Sequence, residues 1–154
     1  MRVWPFVKYN MNNMDREELK QYLPHREPML LVDDVSMEGD VATGHYQVRG
    51  DEFFLQGHFP GYPVVPGVIM CEIMGQCSCA LLLDELPGRL TFYAGLDNIR
   101  FKSQVRPGDL ITVTSRVADR RGLTFFVDAE ARVEGRLCAR GRLIFMLVDK
   151  PDQA

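Results

Sequence analysis

The stretch PGVIMCEIMGQCSCALLLD, residues 66 to 84, decides the fold. Pro66 has no N–H to leave unpaired, which suits the first turn of a helix, and Pro87-Gly88 supplies the stop. Between them Val68, Ile69, Met70, Cys71, Ile73, Met74, Cys77, Ala80, Leu81, Leu82 and Leu83 leave almost no polar face. A helix that is apolar nearly all round has to be enclosed. The spacing predicts this helix over about 66–84.

The enclosing material follows in the chain. From Arg89 onward the apolar period becomes two: Phe125, Val127, Ala129, Ala131 and Val133 alternate with Thr124, Phe126, Asp128, Glu130 and Arg132. Leu137 to Leu147 repeats the pattern after a Glu134-Gly135 turn. Arg89 to Lys102 and Asp109 to Arg121 add two strands, with turns at Pro107-Gly108 and Gly122. Upstream, Leu30 to Met37 and Val41 to Val48 flank Glu38-Gly39-Asp40 and read as a hairpin, and Asp51 to Leu55 as one helical turn. The fold class expected is α+β, a curved antiparallel β-sheet of six strands wrapped around one long central helix.

Asp15, with Glu18 three positions on, reads as a capping box before Leu19 and Tyr22. Residues 1–13 show no periodicity and are expected to form a flexible N-terminal extension, with Met14 an alternative start. Residues 14–150 are then a single domain and 151–154 a C-terminal tail.

With 154 residues, 46% hydrophobic and 25% charged, the chain matches ordinary globular composition. Glu72 and Gln76 interrupt the longest apolar run, which argues against a membrane span. Residues 1 to 14 carry no continuous apolar segment or small-residue cleavage site, so a cytoplasmic location is expected. Cys71, Cys77, Cys79 and Cys138 form no C-x-x-C pair and are expected to be buried free thiols. The net charge is −3, and residues 1 to 88 hold 6 basic and 13 acidic side chains, leaving 12 and 8 for the rest. That balance speaks against a nucleic-acid module, while the positive second half has room for an acidic partner.

Glu72 is the only ionisable carboxyl between Pro66 and Leu83. A carboxylate buried there must find a partner or take up a proton as desolvation raises its pKa. A carboxylic acid kept neutral near pH 7 is a general acid. The plainer alternative is a hydrogen bond to Gln76 one turn along. His58, outside the helix, has the chemistry of a general base or of a satisfied structural histidine. At Pro66-Gly67 the helix start offers unpaired N–H groups for a developing oxyanion. From Pro66 to Glu72 the helix rises only about 9 Å, so one compact site is possible. Spacing leaves open whether His58 and Glu72 meet within a chain or across a dimer.

His58-Phe59-Pro60-Gly61, Pro63, Pro66-Gly67-Val68, Glu72 and Gln76 together resemble the signature of the FabZ-type (3R)-3-hydroxyacyl-[acyl carrier protein] dehydratases. Leu23-Pro24-His25-Arg26 through Pro28 to Asp33 resembles the family's amino-terminal motif, and Gly95 to Phe101 with Val105-Arg106-Pro107-Gly108-Asp109 its later strands. The likeness covers Asp15 to Asp149. It implies a hot-dog fold, a homodimer assembled as a trimer of dimers, and dehydration to the trans-2-enoyl thioester in fatty-acid biosynthesis. His58 would take the α-proton, Glu72 of the partner subunit would protonate the 3-hydroxyl, and the Gly67 amide would polarise the thioester carbonyl. Glutamate at 72 separates this family from sister dehydratase-isomerases that carry aspartate there.

No cofactor is implied, and the scattered His25, His45 and His58 supply no metal cluster. His25 reads as structural and His45 as an ordinary strand position. An acyl tunnel would draw on Phe59, Ile69, Met70, Met74 and Phe92, with Phe53 and Phe54 as further candidates. Arg100, Lys102, Arg106, Arg120 and Arg121 are candidate contacts for the acidic acyl carrier protein. The competing readings are a hot-dog acyl thioesterase and a non-catalytic acyl-thioester-binding hot-dog protein.

Overall fold

The computed structural model describes residues 11 to 152. Seven strands form one antiparallel sheet: β1 (Met11–Asp15), β2 (Asp34–Glu38), β3 (Val41–Gln47), β4 (Arg89–Phe101), β5 (Leu110–Arg121), β6 (Thr124–Val133) and β7 (Arg136–Asp149). Their order is β1-β2-β3-β5-β6-β7-β4. A short helix, α1 (Arg16–Leu19), carries the expected capping box: Asp15 accepts from the Glu18 N–H while the Glu18 carboxylate accepts from the Asp15 N–H.

The central helix, α2 (Gly67–Cys77), is shorter than the sequence pattern predicts. Ser78 ends it by donating its hydroxyl back to the Met74 carbonyl at 2.7 Å, and the chain tightens into a 3₁₀ turn over Cys79–Leu82. The buried side chains of α2 and this turn pack with Ile111, Val113, Phe125, Val127 and Leu143 from the inner face of the sheet. At Gly44 on β3 the approach is closest. A Cβ there would stand 2.5 Å from Cys77 Cβ and 2.8 Å from the Cys77 carbonyl oxygen, so only glycine lets strand and helix meet.

Among the described residues the expected six strands become seven. Met11 to Asn13, assigned by sequence to a flexible extension, are strand residues: Met11 pairs with Met37 of β2, and the register shifts before Met14 pairs with Val35. The pairing is made by backbone groups and needs no apolar alternation, which is why the pattern gave no sign of it. The remaining extension, residues 1–10, lies outside the described residues. Leu30, Leu31 and Val32 are buried but precede β2 rather than forming it. All four cysteines are buried and free, and desolvation pushes the Cys79 thiol up to about 12. Among the described residues no helix is long and apolar enough to cross a membrane.

Candidate active site

The loop between the 3₁₀ turn Phe53–Leu55 and α2 is built to present one imidazole. Gly57 and Gly61 take positive φ (87° and 72°), conformations open to glycine, and Phe59 and Tyr62 exchange backbone hydrogen bonds at 2.9 Å. His58 N–H bonds the Leu55 carbonyl, the His58 carbonyl accepts from Val64 N–H, and the Val65 N–H reaches Val105. The loop is thereby fastened at both ends. The His58 ring stacks on Phe59 with centroids 4.2 Å apart, and its Nδ1 lies 2.9 Å from the Val64 carbonyl oxygen. A carbonyl only accepts, so Nδ1 carries the proton and Nε2 keeps its lone pair. That tautomer is a base.

Pro66 stands at the N-cap of α2 and its carbonyl accepts from Ile69 and Met70 N–H, so the helix begins with the Gly67 and Val68 amides, which have no intrahelical acceptor. Gly67 lies under the Phe101 ring, 3.0 Å from where a Cβ would stand.

One and a half turns along α2, Glu72 is one-quarter exposed. Gln76 Nε2 donates to Glu72 Oε1 at 2.8 Å and to the Met29 carbonyl, while Gln76 Oε1 accepts from Leu31 N–H at 2.6 Å. His25 Nε2 lies 3.4 Å from the same Glu72 oxygen. Of the two outcomes the sequence left open, a partner or a pKa raised by burial, the carboxyl takes the first: Gln76 is the neighbour expected, and the His25 hydrogen bond outweighs desolvation and, with Gln76, holds the Glu72 carboxyl below its ordinary range. His25, read from sequence as structural, is the residue that sequence reasoning missed. Its place in a Leu-Pro-His-Arg motif gave no distance to Glu72, because the contact spans separate segments.

Glu72, His25 and Gln76 line a cavity of about 360 Å³ whose other walls are mainly apolar, including Leu23, Leu82, Leu86, Leu90, Phe92 and Phe145. Of the expected tunnel residues this cavity takes Phe92 only. Met70 and Met74 are core, Ile69 is partly buried and Phe59 lies on the surface against His58; Phe54 is core and Phe53 exposed. His58 is not among the residues around it, so one chain does not bring the expected base into the cavity of the expected acid.

The candidate carrier contacts separate into two places. Arg106 stacks over Tyr62 of the His58 loop at 4.3 Å, and Arg100 and Lys102 are exposed at the same end of β4 as Phe101. Arg120 pairs with Glu85 at 2.8 Å and covers Phe125, and Arg121 pairs with Asp119, both at the end of β5. His45 pairs with Asp34 at 2.7 Å across β2 and β3. Among the described residues no group of three or more His, Cys, Asp or Glu side chains could hold a metal ion.

A seven-stranded antiparallel sheet around a buried helix, with an acidic residue on that helix facing an apolar cavity, defines a hot-dog domain. The dehydratase heterocomplex ApeI:P from Xenorhabdus doucetiae shares the fold, with a TM-score of 0.71 at 19% identity over 86% of this chain and 91% of that one. A thioesterase superfamily member from Thermus thermophilus does so at 0.60 and 21% identity over 71% and 82%. The fold alone therefore spans two chemistries, and sequence likeness decides between them. The model of the FabA-like domain family matches residues 23–142. The 3-hydroxyacyl-[acyl-carrier-protein] dehydratase FabZ of Lactococcus lactis subsp. cremoris (strain SK11) is 45% identical over 138 residues, 88% of this chain and 96% of that relative. That of Streptococcus pneumoniae (strain CGSP14) is 44% identical over 137 residues, 87% and 98%. This chain belongs to the FabZ-type 3-hydroxyacyl-[acyl-carrier-protein] dehydratases of the FabA-like family.

Proposed function

We propose that this hydro-lyase dehydrates a 3-hydroxyacyl-[acyl-carrier-protein] in fatty-acid biosynthesis at sites shared between two copies of the chain. His58 Nε2 of one copy removes the α-proton, and Glu72 of the other protonates the departing 3-hydroxyl. Water leaves and the enoyl double bond forms between the two carbons. The Gly67 amide donates to the thioester oxygen as enolate charge develops on it, an interaction that contributes on the order of 3 to 4 kcal/mol in other oxyanion sites. Without such a donor the α-proton is too weakly acidic for imidazole.

The observation that carries the shared site is the separation of His58 from the cavity of Glu72 within one chain. A route to pairing lies at the sheet's edge. Among the described residues β4 pairs only with β7, and its other side is a thirteen-residue open edge with Phe92, Leu96 and Phe101 about half exposed. Two such edges joined about a two-fold axis would set each copy's His58 loop against the other's β4 and cavity. Three of these dimers make the hexamer that the family resemblance implies, and the acidic carrier would meet Arg106 beside the loop together with Arg100 and Lys102. The apolar cavity receives the acyl chain.

Mixing inactive His58→Ala with inactive Glu72→Gln subunits tests the reading. A shared site restores about a quarter of the unmutated rate at equal proportions, because half of the dimers regain one intact site. No recovery after subunit exchange would place base and acid in one chain. The product is followed by the ultraviolet band of the conjugated enoyl thioester, and thiol release without that band would mark a thioesterase.

A further inference from the structure

Among the described residues the His25 imidazole has one partner. Nε2 faces Glu72 Oε1 at 3.4 Å, whereas Nδ1 is buried with no hydrogen-bond partner among them. Buried polar atoms of structural residues are satisfied as a rule, and one left unpaired asks for a reason. An apolar side chain would fill this place beside Leu23 and Pro24 without that penalty. The ring is thus kept where its single contact is the carboxyl on α2.

The reaction gives that contact a purpose. A general acid must hold a proton before the hydroxyl leaves, yet the carboxyl sits among groups that favour its ionised form: His25 from the loop before β2, and Gln76 from its own helix. The other titratable groups around it are Tyr93 from β4, whose hydroxyl donates to the Cys71 carbonyl, and the thiols of Cys71 and Cys79. Burial raises all three toward their neutral forms, so none supplies a proton readily. His25 is left as the neighbour in contact with Glu72 whose ring can both accept and donate a proton.

We propose that His25 is a positioning residue that shares one proton with Glu72 and returns it to the carboxyl before each elimination. The proposal rests on Glu72 being the acid. In the elimination the Cα–H bond breaks toward His58, the Cβ–O bond breaks as Glu72 passes its proton to the hydroxyl, and water departs. Glu72 is then a carboxylate and His58 an imidazolium. His58 releases its proton to solvent, and Glu72 is recharged through His25 Nε2, whose side chain is 27% exposed and draws on solvent in turn. A protonated ring would leave a buried Nδ1–H unpaired, which keeps the proton transferable rather than trapped in a fixed ion pair.

The test is the pH profile of kcat/KM with a 3-hydroxyacyl carrier-protein thioester for the unmutated enzyme and for His25→Gln, which keeps an amide donor near Nε2 but cannot carry the proton. A carboxyl alone loses its proton at lower pH than a carboxyl–imidazole pair. The alkaline limb of His25→Gln should therefore move down by about one to two pH units, with a loss of about tenfold at pH 7.5 that shrinks on acidification. An unmoved limb, or a loss equal at every pH, overturns the proposal. In the folded Glu72→Gln variant the ¹⁵N signal of His25 Nε2 should move from its position in the unmutated enzyme, and an unchanged signal also overturns it. Activity retained by Glu72→Gln would instead refute Glu72 as the acid, a distinct outcome.

Discussion

Gln76 donates one amide hydrogen to Glu72 Oε1 at 2.8 Å and the other to the Met29 carbonyl, while its oxygen takes the Leu31 N–H. A single side chain, 3% exposed, thus fixes the Glu72 carboxyl on α2 and fastens the segment before β2 onto the helix. Gln76→Leu removes all three bonds while keeping the volume. The expected loss is about 2 to 4 kcal/mol, since two backbone groups lose their partners. Urea unfolding measures it, and kcat should fall together with stability.

His58→Ala and Glu72→Gln should each lower dehydration by about 10²-fold or more with the melting temperature nearly unchanged, as for removal of a general base or acid. Steady-state rates beside thermal melts check this. Unchanged turnover in folded variants would refute the assigned roles.

Gly44→Ala forces a methyl against Cys77, with backbone on both sides. Overpacking of this kind costs up to about 3 kcal/mol, a fall of about 10 °C in Tm. Gly39→Ala in the hairpin turn has open space around it and strain only from its φ of 62°, and should cost less. Calorimetry on the pair separates crowding from backbone strain.

Leu96→Lys places a charge on the open side of β4, the edge through which two copies are proposed to pair. The variant should sediment as a monomer at micromolar concentration and lose dehydration in proportion, recovering both when concentrated. A monomer with full activity would refute the shared site.

Glu27 is held down to about 2 from 4.5, first by its own backbone N–H and then by Arg16 and Lys20. A carboxyl depressed in the folded state stabilises it above the unfolded pKa, and that contribution is lost as pH falls through the folded one. Stability should therefore decline between pH 4.5 and 2, and Glu27→Gln should flatten part of the decline. Urea midpoints across that range provide the measurement.

Much of this was legible in the chain. The apolar girdle of residues 66–83 and the alternation after Arg89 foretold a wrapped helix, because burial of a whole helix and half-burial of a strand leave different periods. Strand β1 was not legible, since edge pairing needs only backbone. The end of α2 at Ser78 depends on a side chain bonding its own helix, which composition does not reveal. His58, Gly67 and Glu72 stood out by motif; in the fold the His58 Nδ1 rests on the Val64 carbonyl and the Gly67 amide opens α2 without an intrahelical acceptor. The His25 contact and the direction of the Glu72 pKa depended on distances between remote segments. Of the tunnel residues, hydrophobicity alone could not separate Phe92, at the cavity, from Met70 and Met74, in the core.

The close seat of α2 on β3 at Gly44 has an evolutionary side. The helix bearing Glu72 is referenced to the sheet by main chain against main chain, whereas the cavity beside it is walled by the side chains of Leu82, Leu86, Leu90 and Phe92. The seat of Glu72 and the shape of the cavity are therefore held by different parts of the chain. Descendants of this sequence can reshape the cavity by trading wall residues, with the placement of Glu72 inherited unchanged.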